Sequence, residues 1–279
     1  MQLLAGVMLA ALQGYSGDGS ADRVRLIAER DAVTPGASFT LAVELQTQPG
    51  WHTYWLNPGD AGLPPTLRWR LPERVRLSRL QFPTPARFEE SGMVSFGYED
   101  RVWLLADFEV GGGFTGEKLE IGLAANWMVC REACMQKKGE AQVALVVAAE
   151  APAQTNATTA AEFARWRDRL PKSVPGWTAR AQSERKGLRL RIESPAGSGP
   201  DAAAWARAQF YPLQRDAIEL PAAQKWRRDG AGWEALLRSG PKPFKGGDVV
   251  EGVLVVPAAT GGDTSTPRAW LVQATVEGK

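Results

Sequence analysis

Leu119-Glu120-Ile121-Gly122-Leu123-Ala124-Ala125-Asn126-Trp127-Met128-Val129 runs directly into Cys130-Arg131-Glu132-Ala133-Cys134, and a second strand-like run follows over 141–148. Apolar residues alternate at the start of the first run, as on a strand with one buried face. The whole reads as a β-hairpin carrying a cysteine pair at its turn. These are the only two cysteines in the chain. A disulfide closing so short a loop restrains the unfolded chain weakly, by about 2 kcal/mol or less. A poor staple is better explained as a redox switch, so thiol–disulfide exchange is the leading reading.

The same alternation extends upstream. Val24, Leu26 and Ala28 share one face of an imperfect strand, and Phe39-Leu41-Val43-Leu45 is a clean period-2 strand with mostly polar residues between. Gln48-Pro49-Gly50 breaks it. Further strands are expected at Leu67-Trp69-Leu71, Val75-Leu77 and Val102-Leu104-Ala106-Phe108, and Gly111-Gly112-Gly113 leads into the cysteine hairpin. About seven strands at this spacing predict an antiparallel sandwich over 22–150.

The segment 151–174 reads as a linker. Within it, Thr159-Ala160-Ala161-Glu162 has the form of a capping box. Phe163, Trp166 and Leu170 then fall on one face of a short helix, which Pro171 and Pro175 stop. From Trp177 the strand pattern resumes at Leu188-Leu190-Ile192, Ala206-Ala208-Phe210, Trp233-Ala235-Leu237, Val249 to Val256 and Trp270-Val272-Ala274-Val276. This predicts a second β-sandwich over 175–279, without Cys or His, serving as scaffold or docking module. The expected fold class is all-β.

Composition sets the remaining bounds. The chain has 279 residues, 44% hydrophobic and 23% charged, with a net charge of +2, which is too mild to argue for nucleic acid. The apolar run from Leu3 to Leu12, followed by a polar stretch, has the form of a secretion signal and leader over 1–21, though no Lys or Arg precedes it. It is too short to cross a bilayer, and no later segment is long and apolar enough. The expectation is an exported protein in an oxidising compartment, where a cysteine pair can be bonded.

Three blocks then carry a family resemblance. Gly50-Trp51-His52-Thr53-Tyr54-Trp55-Leu56-Asn57-Pro58-Gly59-Asp60-Ala61-Gly62-Leu63-Pro64-Pro65, Phe96-Gly97-Tyr98 and Asn126-Trp127-Met128-Val129-Cys130-Arg131-Glu132-Ala133-Cys134 resemble the periplasmic N-terminal region of the DsbD/ScsB thiol:disulfide interchange proteins. Phe210-Tyr211-Pro212-Leu213 extends the likeness to the second half. The C-x3-C spacing resembles the ScsB-like branch, whose members are associated with copper tolerance.

The resemblance implies two immunoglobulin-like sandwiches, with the cysteines on an exposed hairpin. It implies electrons arriving from a membrane-embedded thiol reductase domain or subunit and leaving to periplasmic thioredoxin-like proteins. It implies that Cys134 forms the mixed disulfide and Cys130 resolves it. Aromatics from Trp51, Tyr54 and Trp55 would shape the docking surface, and a cap within 88–93 would shield the cysteines, with Phe88 or Met93 as the capping residue. The sequence shows neither a membrane domain nor a thioredoxin-like domain, so the donor is expected elsewhere in a longer chain or in a separate subunit.

Other readings stay open on the residues alone. Exchange needs a thiolate and a resolving thiol, and it requires no metal or organic cofactor. Arg131 would stabilise a thiolate, Glu132 would oppose it, and Lys137 and Lys138 lie just beyond. The alternative is a structural disulfide, or two buried free thiols, in a non-catalytic interaction module. Cys130 and Cys134, with His52 or the flanking Met128 and Met135, also make a soft ligand set suited to Cu(I). His52, the lone histidine, reads as a packed, hydrogen-bonded structural residue. A regular strand would not place both Tyr54 and Trp55 in an interior. There is no P-loop, dinucleotide fingerprint, H-E-x-x-H or nucleophile elbow to support nucleotide or hydrolase chemistry.

Overall fold

The computed structural model describes residues 22–149, 157–195, 200–257 and 268–278. The expected signal and leader over 1–21, and most of the loop between the domains, lie outside the described residues. Among the described residues, no helix is long and apolar enough to cross a membrane.

The first domain is built from β1 (Arg23–Ala28), β2 (Ala32–Val33), β3 (Ser38–Gln46), β4 (His52–Gly59), β5 (Thr66–Arg70), β6 (Val75–Gln81), β7 (Ala86–Glu90), β8 (Met93–Glu99), β9 (Arg101–Val110), β10 (Lys118–Cys130) and β11 (Cys134–Val147). One sheet runs β1-β3-β9-β6 and the other β2-β11-β10-β4-β8-β7, with β5 also paired to β10. All pairs are antiparallel except the short β2–β11 contact. Leu41, Val43, Leu104, Leu119, Leu123 and Val129 fill the space between the sheets, each fully buried.

The linker helix α1 (Ala157–Asp168) lies on the outer side of the first sheet. Phe163 and Trp166 pack on Trp103, at centroid separations of 5.3 and 6.4 Å. This covers the face of β3 that the alternation leaves for solvent, so Ala42 and Glu44 are as buried as the apolar residues beside them. Glu44 accepts from Arg25 Nε at 2.7 Å and from Trp103 Nε1 at 2.8 Å, which satisfies its charge under the helix. Thr159 is an interior helical residue rather than a cap. Glu162 instead pairs with Arg101 across the helix–sheet contact.

The second domain comprises β12 (Thr178–Glu184), β13 (Gly187–Glu193), α2 (Ala202–Trp205), β14 (Gln209–Pro212), β15 (Arg227–Asp229), β16 (Gly232–Arg238), β17 (Val249–Val256) and β18 (Arg268–Glu277). Its strands follow the path β14-β17-β18-β12-β13-β16-β15, closed in the middle by a short parallel β12–β18 pair. The alternation at Ala206 and Ala208 is not a strand. Asp201 caps α2 by accepting from Ala204 N at 2.7 Å, and the extended chain begins only at Gln209. Trp205 stacks on Trp177 and Trp233 and lies tilted against Trp226, anchoring this core.

A candidate redox site on the outer face of the first domain

β10 and β11 pair without interruption from Lys118↔Val146 to Cys130↔Cys134. The cysteines are therefore the last rung of the hairpin, and directly opposed strand positions bring their side chains together. They are joined in a disulfide, with Cα atoms 4.1 Å apart. The two sulfurs are not equivalent. Cys130 is 9% exposed, whereas Cys134 lies open to solvent.

β4 lies beside the hairpin, with His52 opposite Cys130. Residues two apart on a strand share a face, so His52 and Tyr54 both stand on the cysteine side. The Tyr54 hydroxyl is 3.6 Å from Cys134 Sγ. A disulfide sulfur carries no proton, so the hydroxyl is the donor. Burial pushes the Tyr54 phenol above its usual pKa, and the Glu90 carboxylate pushes it further. The phenol thus keeps its proton for donation.

His52 stacks on Phe88 with ring centroids 4.4 Å apart, and meets Tyr54 edge-on at 5.2 Å. Burial lowers the imidazole pKa below its ordinary value, against a smaller upward pull from Glu90. Its Nε2 is buried without a hydrogen-bond partner among the described residues. The imidazole is packed against aromatic rings, as expected, and at Nε2 the expected hydrogen bonding is not found among the described residues.

Phe88 lies on β7, not on an irregular loop. β7 and β8 form a tight hairpin whose turn residues, Ser91 and Gly92, both have positive φ (52° and 79°). This is the backbone of a type I′ turn. Phe88 reaches the site through its contact with His52. Met93 stands at the turn, half exposed.

The other aromatics go elsewhere. Trp55 points into the sandwich core, edge-on to Phe96, and is 1% exposed, so it offers nothing to a docking surface. Tyr54 is buried too, on the opposite face, because the segment after β4 folds back over it. A Cβ on Gly62 would fall 2.2 Å from the Tyr54 ring. A strand covered on both sides resolves the expected conflict between these neighbours. Trp51 packs partly buried at the core edge, and its backbone carbonyl accepts from Thr47 Oγ1.

Two of the cations flanking the cysteines have carboxylate neighbours. Arg131 and Glu132 approach to 3.9 Å on the exposed turn. Lys137 Nζ is 2.9 Å from the buried Asp22 carboxylate. A sulfur anion here would draw on the Tyr54 hydroxyl. Among the described residues, no three His, Cys, Asp or Glu side chains are grouped to hold a metal ion.

The cysteine hairpin thus belongs to a sandwich domain with a disulfide at its edge. Residues 23–146 match the family model described as "Thiol:disulfide interchange protein DsbD, N-terminal". The first domain belongs to this family and is a thiol:disulfide interchange module. Among solved structures, the N-terminal periplasmic domain of ScsB from Proteus mirabilis matches with a TM-score of 0.67 at 15% identity, covering 97% of this chain and 100% of that one. Both domains therefore share their arrangement with that fold. A looser likeness, with a TM-score of 0.30 at 10% identity over 48% of this chain and 97% of that one, is to the seventh ScaB type I cohesin from Pseudobacteroides cellulosolvens. Comparison with curated proteins returns no match.

Proposed function

We propose that the chain works in the periplasm as an electron relay, taking reducing equivalents from a membrane-embedded thiol reductase domain or subunit and passing them to thioredoxin-like proteins. The observation that carries this reading is the unequal exposure of the two bonded sulfurs. The compartment is supported by the P. mirabilis domain, which is periplasmic.

In the first half-cycle a donor thiolate attacks Cys134 Sγ, the accessible sulfur. The Cys130–Cys134 bond breaks, and its electron pair leaves on Cys130, which takes up a proton. The donor's second thiolate attacks its own partner sulfur, releasing Cys134. The donor is now a disulfide and the relay a dithiol, two electrons richer. In the second half-cycle the Cys134 thiolate, steadied by the Tyr54 hydroxyl, attacks the acceptor disulfide. Cys130 then attacks Cys134 and frees the acceptor as a dithiol. The β7–β8 hairpin is the cap, with Phe88 seated on His52 and Met93 at its exposed turn, and an incoming partner displaces it.

Thiol trapping of the purified protein across a glutathione redox series tests the reading. The expected result is one two-electron transition, with both cysteines alkylated at the reducing end. A pair that stays oxidised under strong reductant would make this a structural disulfide in a non-catalytic interaction module.

A further inference from the structure

The second domain holds no cysteine, yet it is bonded into the segment that covers Tyr54. Asn57, on β4, is 2% exposed and spends its whole amide at the domain boundary. Its Nδ2 donates to Pro212 O at 2.8 Å and to Gln214 O at 3.4 Å, both on the second domain. Its Oδ1 accepts from Gly59 N at 3.0 Å, where the chain turns out of β4. Gly59 sits at φ +88° with a Cβ position 2.3 Å from Val94 O, so only glycine makes this turn.

The turn is then fixed from three sides. Asp60 N donates to Val94 O, and the Asp60 carboxylate accepts from Val94 N, both at 2.8 Å. Gly62 lies against the Tyr54 ring, and its carbonyl accepts from Arg215 Nη1 of the second domain at 3.5 Å. Beside these contacts the Tyr211 ring packs on Phe96, with centroids 4.4 Å apart. The second domain's side is itself held firmly. Leu213 N donates to Glu251 O at 2.8 Å and Gln214 Nε2 to Val249 O at 2.9 Å, tying the contact segment to β17.

We propose that the second domain positions the redox centre: through Asn57 and Arg215 it presses the 59–65 segment onto Tyr54, and so holds the Tyr54 hydroxyl on Cys134. Asn57 and Arg215 are positioning residues, and Tyr54 is the group that touches the reacting sulfur. The hydroxyl donates more strongly to a thiolate than to a disulfide sulfur, because hydrogen bonds to charged acceptors are the stronger ones. Holding it in place therefore favours the Cys134 thiolate and the reduced form. This inference rests on the exchange reading above.

The test measures the glutathione equilibrium of the pair, together with the pH profile of Cys134 alkylation in the reduced full chain. Tyr54→Phe should raise the midpoint of the alkylation profile and slow alkylation near neutrality by roughly tenfold or more, the scale of one charge-assisted hydrogen bond. Asn57→Ala and Arg215→Ala should each move both readouts in the same direction by about twofold or more, and should have no further effect in a Tyr54→Phe background. Arg215 is exposed enough that its variant folds even if Asn57→Ala does not. An Arg215→Ala protein with the parent profile, or additive effects in the Tyr54→Phe background, would overturn the inference. Those outcomes leave the parent's own redox transition intact, whereas failure of the exchange reading abolishes it.

Discussion

His52 and Phe88 stack nearly parallel, their planes 16° apart, although strand β8 lies between their own strands. The position of β8 between Tyr54 and Ala86 is Gly97, which carries no side chain. The imidazole is thereby packed, part-buried, beside the disulfide.

The lone histidine gives one imidazole resonance, so its titration can be followed directly by NMR. Burial holds the folded-state pKa below the ordinary value of about 6.5. The unfolded chain then binds the extra proton first, so this residue's contribution to stability is full above that value. It is lost as pH falls from there through the folded pKa. Phe88→Ala should return solvent to the ring and move the titration up. Glu90→Gln should move it down, because the carboxylate pulls upward. A midpoint at or above 6.5 in the parent would show that burial does not govern the ring.

Trapping assigns the two sulfurs. A thioredoxin-like partner lacking its own resolving cysteine should form a stable mixed disulfide with the Cys130→Ser variant, which keeps the open sulfur. Cys134→Ser should give none. Adducts only through Cys130 would reverse the roles, as gel shift and mass spectrometry would reveal.

Beneath helix α1, Glu44 is fully buried and bonded to Arg25 and Trp103. Glu44→Ala strands a guanidinium and an indole N–H, and it should cost about 3 kcal/mol in urea unfolding. The glutathione equilibrium of the cysteines should not change, since they belong to the opposite sheet. A shift there would reveal coupling between the sheets.

Gly97→Ala places a Cβ 1.9 Å from the Thr53 carbonyl oxygen. The backbones of β4 and β8 must separate to admit it, at a cost of about 2 kcal/mol or more. The His52 resonance should shift as well, because the strand beneath its stack moves. Parent-like unfolding would show that the strands yield freely.

Much of this fold is legible in the sequence. Period-2 runs such as Phe39-Leu41-Val43-Leu45 announce half-buried strands, and the alternation before Cys130 announces the hairpin. What escapes is burial by a second layer. Nothing in Ala42 or Glu44 says that a helix more than a hundred residues later will cover them. Likewise Tyr54 and Trp55 read as rivals for one interior until the 59–65 segment supplies a second. The partners of Asn57, the Pro212 and Gln214 carbonyls, are set by docking between domains, which leaves no local pattern. The cysteine pair is visible at once because its chemistry is carried by residue type. The unequal shielding of its sulfurs is not, because shielding depends on which strand lies alongside.

The disulfide closes only the final rung of a hairpin that pairs from Lys118↔Val146 onward. Opening it should free a tip of five residues, Cys130 to Cys134, and leave the ladder from Lys118 to Val129 in place. The oxidised and reduced forms should therefore melt within a few degrees of each other, by the scale of so short a loop closure. On the relay reading, electrons would then enter and leave with little change in the architecture. The module would carry reducing equivalents much as a rechargeable cell does, with its casing unchanged between full and empty.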